Sequence, residues 1–260
     1  MQIGLIGEGA IGRYVMEQLR LRGLRPQFIL TRSDHTPDHS GDAPTYVRSV
    51  SDLPSELTLM VDCAGHSALA QHGASILERG TDLVTLSLGA LADEALAFEL
   101  ARAAERGSAR LHLASGAIGA LDCLRAAKVG GLETVTYTGR KPPKGWKGSA
   151  AENVLDLDSL QEAAMLFQGN ARDAAVRYPK NANVAAAVAL AGQGFDETRV
   201  ELIADPTIAS NIHEVHASGA FGSFHFRIAG QTLPDNPRSS ALAAMSAVAA
   251  IEREIAAITT

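Results

Sequence analysis

The sequence has little of what builds metal centres, disulfide frameworks or membrane spans. Only two of its 260 residues are cysteine. Neither Cys63 nor Cys123 has a second Cys nearby at metal-ligand spacing, so we expect no metal site and a reducing compartment. No apolar run approaches the roughly 18 residues needed to span a bilayer, and the N-terminus lacks the pattern of a signal peptide. These absences predict a soluble, cytoplasmic protein.

Excess positive charge is also missing, since 23 Lys and Arg face 29 Asp and Glu for a net charge of -6. This balance argues against nucleic acid or a membrane surface as the main partner, although a local basic pocket stays possible.

Aromatic residues make up only 5%, while Ala-rich stretches suit helices packed closely on a sheet. The length fits one large domain or two modest ones.

Up to about Ala114, predicted strands alternate with predicted helices. The strands are expected over 1–6, 26–31, 57–63, 82–86 and 110–113, and the helices over 11–22, 68–79 and 93–106. This alternation is typical of a parallel, doubly wound sheet. We therefore predict an α/β, Rossmann-type domain over residues 1–114.

After Ala114 the strands follow one another with fewer helices between them. Strands are expected over 135–139, 199–204, 212–218 and 221–229, and helices over 159–167, 170–177, 184–191 and 239–258, while 115–127 is expected to be a Gly-containing turn that runs into a helix. Closely spaced strands favour an antiparallel sheet. We predict a C-terminal α+β domain over 115–238 with a largely antiparallel sheet, and a last helix, within 239–260, that packs back on the first domain.

A glycine loop follows the first predicted strand and opens the first predicted helix. It reads Gly7-Glu8-Gly9-Ala10-Ile11-Gly12, the G-x-G-x-x-G pattern in the context that makes it informative. Gly7 would allow the tight turn, Gly9 the close approach of a pyrophosphate, and Gly12 the packing of the helix on the strand. The N–H groups at the start of the helix, near Ala10 and Ile11, would face the anion. A dinucleotide site is expected here.

The second predicted strand ends without the acidic residue that usually binds the ribose of NAD. Leu30-Thr31-Arg32-Ser33 stands there instead. Arg32 would hold a 2′-phosphate, which favours NADP. In the alternative interpretation Arg32 is solvated and Asp34 contacts the ribose. The cofactor is therefore predicted as NAD or NADP.

Three clusters in the second half combine small, polar and charged residues. Ser115 to Gly119 would let a nicotinamide ring approach the backbone, or Ser115 would cap a helix. Lys180 offers a cation and Asn183 a carboxamide or a helix cap. Asn211 to His216 reads as a strand that carries two histidines on opposite faces. One of them would serve as a general acid or base, or as a structural histidine paired with a carboxylate.

Taken together, these segments resemble the L-aspartate dehydrogenase family over essentially the whole chain. The segments that carry the resemblance are GEGAIG, ASGAIGALD, YTGRKPP, YPKNANVAAAVALAG, SNIHE and NPRSSALAAMSAV. The resemblance implies nicotinamide-cofactor contacts at Ala117 and Asn183 and a catalytic histidine at His213. It also implies a homodimer that oxidises L-aspartate with NAD or NADP to iminosuccinate, which yields oxaloacetate and ammonia and would supply pyridine nucleotide biosynthesis. The family's NAD-preferring members tend to have the acid that is missing after the second strand.

A substrate with two carboxylates calls for cations in its pocket, as forked arginine or compact lysine contacts. Spacing alone does not choose among the candidates. They are Arg140, Lys141, Lys144, Arg172 and Lys180, with Ser239 and Ser240 as further polar groups.

Two rival interpretations remain open at this point. One is a related two-domain enzyme, similar to dihydrodipicolinate reductase or homoserine dehydrogenase, although the first would need a His-rich catalytic segment where this chain has SNIHE. The other is a non-catalytic redox sensor that binds NAD(P)H, which would need the glycine loop but not the second-half residues.

Overall fold

The computed structural model describes residues 1–33, 43–179, 182–234 and 236–259, with residues 237 and 238 described by their backbone. Contacts along the chain divide it into two units. The first contains residues 1–114 and 243–260, and the second contains residues 115–242. Within the described ranges, every helix is too short or too polar to cross a bilayer.

Strands and helices are numbered in chain order. The strands are β1 (Ile3–Ile6), β2 (Phe28–Leu30), β3 (Thr45–Val47), β4 (Leu59–Asp62), β5 (Asp82–Thr85), β6 (Leu111–Leu113), β7 (Leu132–Lys141), β8 (Ala164–Asn170), β9 (Arg199–Ala204), β10 (Asn211–Gly219), β11 (Gly222–Gly230), β12 (Thr232–Leu233) and β13 (Asn236–Ser240). The α-helices are α1 (Ala10–Leu21), α2 (His66–Glu78), α3 (Glu94–Gly107), α4 (Leu121–Gly130), α5 (Ala171–Arg177), α6 (Asn183–Ala191) and α7 (Ala241–Ile255).

The first unit contains a six-stranded parallel sheet in the order β3-β2-β1-β4-β5-β6. β1 and β4 are buried along their whole length, as expected for a sheet covered by helices on both faces. The strand order changes direction between β1 and β4. In such sheets ligands bind beyond the carboxyl ends of the strands at this switch point. Gly7 directly follows β1, so the glycine loop lies there.

The C-terminal helix contributes to the core of the first unit. Ala247, Val248 and Ile251 of α7 belong to one buried cluster with β1, β4 and α1 residues such as Leu5 and Val15. At the sheet edge, His112 of β6 lies between two carboxylates, with Nε2 3.5 Å from Asp82 and Nδ1 3.1 Å from Glu254 of α7. Apolar packing and polar contacts thus both attach this helix to the sheet.

The second unit contains a five-stranded sheet in the order β11-β10-β7-β9-β8. Its neighbours pair antiparallel except for β7 and β9, which are parallel. Burial alternates along β10, where His213, Val215 and Ala217 are buried and His216 is exposed. A parallel sheet in one part and a largely antiparallel sheet in the other confirm the predicted fold class.

The prediction of a helix over 159–167 is wrong. Residues 164–170 form β8, an edge strand that pairs with β9. The pairing register shifts between Met165 and Phe167, so Leu166 and Phe167 are both buried. This irregularity removes the alternation that identifies a strand in sequence. The short strand β3 was likewise not predicted.

Three expected helix starts are also displaced. Ser115 is not a helix cap, because α4 begins at Leu121 after Ala120, which adopts a left-handed φ of 60°. Asn183 is the first residue of α6 and Ala182 is its cap. Ser239 belongs to strand β13, and α7 begins only at Ala241. The starts of α4 and α6 each follow an alanine and lack a capping side chain, so the sequence carries no clear signal for these two starts.

Candidate functional site

Close contacts and open space explain the three glycines of the loop after β1. Gly7 has a φ of 80°, and a Cβ there would lie 2.9 Å from that of Ala64. A Cβ at Gly12 would lie 2.5 Å from the carbonyl oxygen of Gly7, so α1 can approach the loop only with glycine at this position. A Cβ at Gly9 would meet nothing within 4 Å. The space over Gly9, at the N-terminus of α1, therefore fits the pyrophosphate of a dinucleotide.

A buried carboxylate orders the connection that packs on this loop. Asp62 ends β4 and is fully buried. One carboxylate oxygen accepts a hydrogen bond from the N–H of Ala64 at 3.0 Å. The other accepts from the hydroxyls of Thr85 at 2.9 Å and Ser87 at 2.6 Å. Several donors thus compensate the burial of this charge, and they fix Ala64 against Gly7.

Arg32 lies exposed just after β2. Its charge, together with the larger effect of burial, lowers the pKa of His72 on α2. Asp34 lies outside the described residues. The choice between Arg32 as a 2′-phosphate ligand and Asp34 as a ribose ligand therefore stays a prediction.

In the second unit, His213 lies on the buried face of β10 with 4% of its surface exposed. It pairs across the sheet with Gly139 of β7. His216 lies on the opposite face, where its ring stacks on that of His225 at 3.8 Å between centroids. The structure therefore distinguishes the two histidines of the SNIHE strand, and His213 is the one in a protected environment.

The phenol of Tyr137 contacts the imidazole of His213. The hydroxyl lies 2.8 Å from Nδ1, and the two rings are near-parallel with centroids 6.0 Å apart. Both side chains are almost fully buried. A Cβ at Gly139 would lie 2.6 Å from the Tyr137 hydroxyl, so the phenol extends over this glycine to reach the histidine.

Burial determines the protonation of this group. It lowers the pKa of His213 to about 3, with a further contribution from the charge of Lys141. Burial also lowers the pKa of Lys141 to about 8 and raises the pKa of Tyr137 well above its usual value. Near neutral pH the imidazole and the phenol are therefore both neutral, and most of Lys141 is charged.

A cavity of about 360 Å³ lies beside the end of β7, and Lys141 is the member of this group that lines it. Lys141, two residues after Gly139, lines it together with Asn211, two residues before His213. The ammonium of Lys141 also lies 5.1 Å from the centre of the Trp146 ring. Lys144 and Lys147 complete a cationic lining, although Lys147 forms an ion pair with Asp158. This charge suits an anionic ligand.

Comparison with known proteins agrees with this geometry. Residues 122–254 match the family model described as aspartate dehydrogenase, C-terminal. A curated L-aspartate dehydrogenase from Ruegeria pomeroyi is 53% identical, over 99% of this chain and 94% of the relative. The chain belongs to the L-aspartate dehydrogenase family. The L-aspartate dehydrogenase of Cupriavidus necator is 46% identical, over 96% of each chain.

The fold and the cofactor class of the family are supported by two further matches. The solved structure of an aspartate dehydrogenase from Thermotoga maritima has a TM-score of 0.80 and 26% identity, and it covers 100% of this chain and 99% of its own. Residues 7–114 match the model described as homoserine dehydrogenase, NAD binding domain. These matches confirm the resemblance seen in the sequence and the expectation of NAD or NADP.

The structure separates the cationic candidates of this family member. Lys141 and Lys144 line the cavity. The guanidinium of Arg140 lies 3.0 Å from the carboxylate of Asp205. Because side chains alternate along β7, Arg140 lies on the sheet face opposite to His213. Arg172 forms an ion pair with Asp196. Lys180 lies outside the described residues.

The remaining predicted residues lie at separate places in the second unit. Ala117 is buried in the segment before α4, and Asn183 begins α6. Ser239 lies on β13 and accepts a hydrogen bond from the Asn236 amide at 3.0 Å. Its neighbour Ser240 pairs with Thr232, which lines the cavity.

The sequence analysis missed three residues that shape these sites, namely Asp62, Tyr137 and Gly139. The sequence indicates a role for Asp62, because a carboxylate at the end of an otherwise apolar strand needs hydrogen-bond donors. It also indicates one for Gly139, since glycine inside a predicted strand indicates a close approach. Tyr137 shows its role only once the pairing of β7 with β10 is known.

Proposed function

We propose that this family member is an NAD(P)-dependent L-aspartate dehydrogenase. It would oxidise L-aspartate to iminosuccinate, which hydrolyses to oxaloacetate and ammonia. The observation that carries the proposal is the buried His213 on the same sheet face as Lys141, which lines the cationic cavity. A neutral imidazole can accept a proton and a lysine can bind a carboxylate, and a dicarboxylic amino acid requires both.

His213 would act as the general base. The substrate amine is an ammonium near neutral pH and must lose a proton before Cα can be oxidised. The neutral imidazole has a lone pair available for that proton, and the negative charge of a bound substrate carboxylate would raise its pKa from the low value in the ligand-free site. The same group would activate the water that hydrolyses the imine.

The substrate carboxylates would bind in the lysine-lined cavity. Among the lysines that line the cavity, Lys141 lies nearest to His213 in the strand register, and its charge contributes to the lowered pKa of His213, so we assign it the first carboxylate. Lys144 and Asn211 are available for the second one. A carboxylate bound to Lys141 would favour the charged form of this lysine, because opposite charges stabilise one another.

The chain's own residues would hold the cofactor. Gly7, Gly9 and Gly12, with the N–H groups near Ala10 and Ile11, would bind the pyrophosphate at the start of α1. In this proposal Arg32 contacts a 2′-phosphate, whereas Ala117 and Asn183 contact the nicotinamide end. When bound, the nicotinamide ring accepts the hydride that leaves the substrate Cα.

Steady-state kinetics with NAD and NADP side by side test this function. We expect reduction of the nicotinamide with L-aspartate and little with L-homoserine, the substrate named by the model that matches the N-terminal half. Turnover of homoserine in place of aspartate would contradict the proposal. Tight cofactor binding without turnover of any amino or hydroxy acid would favour a redox sensor instead.

We also propose a cytoplasmic homodimer whose iminosuccinate feeds pyridine nucleotide biosynthesis. The support is family membership and, for the location, the scarcity of cysteine in the sequence. Light scattering would report twice the chain mass of 27.2 kDa for the dimer.

A further inference from the structure

The hydrogen bond between Tyr137 and His213 indicates a role for Tyr137 that the proposed function does not include. This role rests on the proposed function, because it concerns the proposed base His213. We propose that Tyr137 is a positioning residue. It holds the His213 ring in one orientation and one tautomer, so that the substrate meets Nε2 only. Gly139 is part of the same device, because it provides the space through which the phenol reaches the ring.

The strand register makes the contact diagonal. His213 pairs with Gly139, whereas Tyr137 pairs with Val215, one step further along the same face. Diagonal neighbours on paired strands are about 7–8 Å apart, which only a long side chain can bridge. The phenol spans this separation and places its hydroxyl 2.8 Å from Nδ1.

Gly139 is explained by space rather than by backbone conformation. It does not have a positive φ, so any residue could adopt its backbone. Glycine inside a strand is nevertheless destabilising relative to alanine. A Cβ there would lie 2.6 Å from the phenol oxygen and 3.1 Å from Cζ of Tyr137. The absent side chain is thus the condition for the Tyr137–His213 contact.

The partner of the histidine is neutral, which matters for its chemistry. A carboxylate on Nδ1 would stabilise the imidazolium and favour a charged histidine. The phenol offers a dipole instead, because burial keeps it protonated. It can therefore occupy Nδ1 and fix the ring without adding charge. For His213 to act as a base at Nε2, the proton must be on Nδ1 and be donated to the Tyr137 oxygen.

Nitrogen NMR of the ring tests the positioning directly and does not depend on turnover. In the wild-type protein, ¹⁵N shifts of His213 should show one tautomer, with distinct protonated and unprotonated nitrogens. In Tyr137→Phe we expect averaged shifts, because Nδ1 has lost its partner. An unchanged, single tautomer in Tyr137→Phe would overturn the proposal.

Kinetics supply the second measurement. Tyr137→Phe should lower kcat about 10- to 100-fold, part of the effect of a positioned general base, while KM for aspartate and the Kd for NAD(P) change less than threefold. The matched control is Tyr178→Phe, another buried tyrosine of the second unit, whose hydroxyl donates to the Leu166 carbonyl at 3.4 Å. This control should retain kcat, and an equal loss in both variants would contradict the assignment.

A double-mutant cycle tests the part assigned to Gly139. Gly139→Ala alone should reproduce the kinetic defect, because its Cβ displaces the hydroxyl. In the Tyr137→Phe background the same change should add less than twofold, since the contact is already lost. Additive losses would refute the role of Gly139.

The NMR experiment also separates this inference from the proposed function. A single tautomer that is lost in Tyr137→Phe supports the positioning role, whichever nitrogen carries the proton. If the proton is found on Nε2, the assignment of His213 as a base at that nitrogen fails while the positioning role stands.

Discussion

The two units use different parts of the polypeptide to build their sites. In the first, the glycine loop contributes backbone, open space over Gly9 and a helix N-terminus. In the second, side chains from two strands converge, with His213 on β10 and Tyr137 and Lys141 on β7. The backbone site is contiguous in sequence. The side-chain site joins residues separated by about seventy positions, for example 76 between Tyr137 and His213.

This difference determines how each site should respond to mutation. A site made of backbone and space is damaged by adding atoms, whereas a site made of side chains is damaged by removing them. The first kind of change should alter cofactor binding, and the second kind should alter catalysis or substrate binding. Substitutions in each unit can therefore test whether the first site depends on backbone and open space and the second on side chains.

The largest effect is expected for His213→Ala. Loss of the proposed base should reduce kcat by about 10²–10⁴-fold, the usual contribution of general acid–base catalysis. Binding of NAD(P)H, followed by its fluorescence, should stay nearly intact, because the glycine loop is in the other unit.

His216→Ala is the matched control for this variant. The residue lies three positions further along β10, on the exposed face, and we expect parental kcat. If His213→Ala turns over aspartate at the parental rate, the catalytic assignment is wrong.

Lys141→Gln should give the next largest effect. Loss of a charge-assisted contact of about 1.5–3 kcal/mol corresponds to a rise in the KM for aspartate of roughly 10- to 100-fold. A lysine is cationic below its pKa, and burial lowers that of Lys141 to about 8. In the parent, kcat/KM for aspartate should therefore carry a contribution that is present below about pH 8 and lost above it.

The pH profile of Lys141→Gln should lack this descending limb. Lys128→Gln, on the exposed surface of α4, is the control and should keep both the parental KM and the limb. If the descending limb of kcat/KM persists in Lys141→Gln, a group other than Lys141 is responsible for it.

The same contrast explains what the sequence could predict. The glycine loop was recognisable because its meaning depends on neighbours in the chain, and the alternation of strands and helices gave the fold class. His213 was assigned through the family resemblance, since strand alternation alone left two histidines open. Tyr137 depends on strand register, and β8 on an irregular pairing with β9. Neither is encoded in a local pattern.

Gly9→Ala tests the backbone site with a smaller expected effect. The added methyl group enters the space over the loop and should weaken NAD(P) binding roughly tenfold, because close approach to the pyrophosphate is blocked. The thermal stability of the cofactor-free protein should not change, since a Cβ there meets nothing within 4 Å.

Gly12→Ala provides the contrast for this test. Its Cβ would lie 2.5 Å from the Gly7 carbonyl oxygen, so we expect a loss of about 1–3 kcal/mol in the free energy of unfolding. Calorimetry and titration calorimetry separate the two outcomes. A Gly9→Ala variant that is destabilised but binds NAD(P) normally would contradict the assignment of the space over Gly9.

The smallest effect is expected for His112→Asn, at a histidine in surroundings unlike those of His213. His112 lies between Asp82 and Glu254 and is partly exposed. Such a partly solvated pair contributes about 1 kcal/mol or less, so Tm should fall by about 1–4 °C with kcat unchanged. Because Glu254 shares the contact, the combination with Glu254→Gln should cost less than the sum of the single losses. A loss of activity in His112→Asn would instead mean that the separation between a side-chain site in one unit and a backbone site in the other is incomplete.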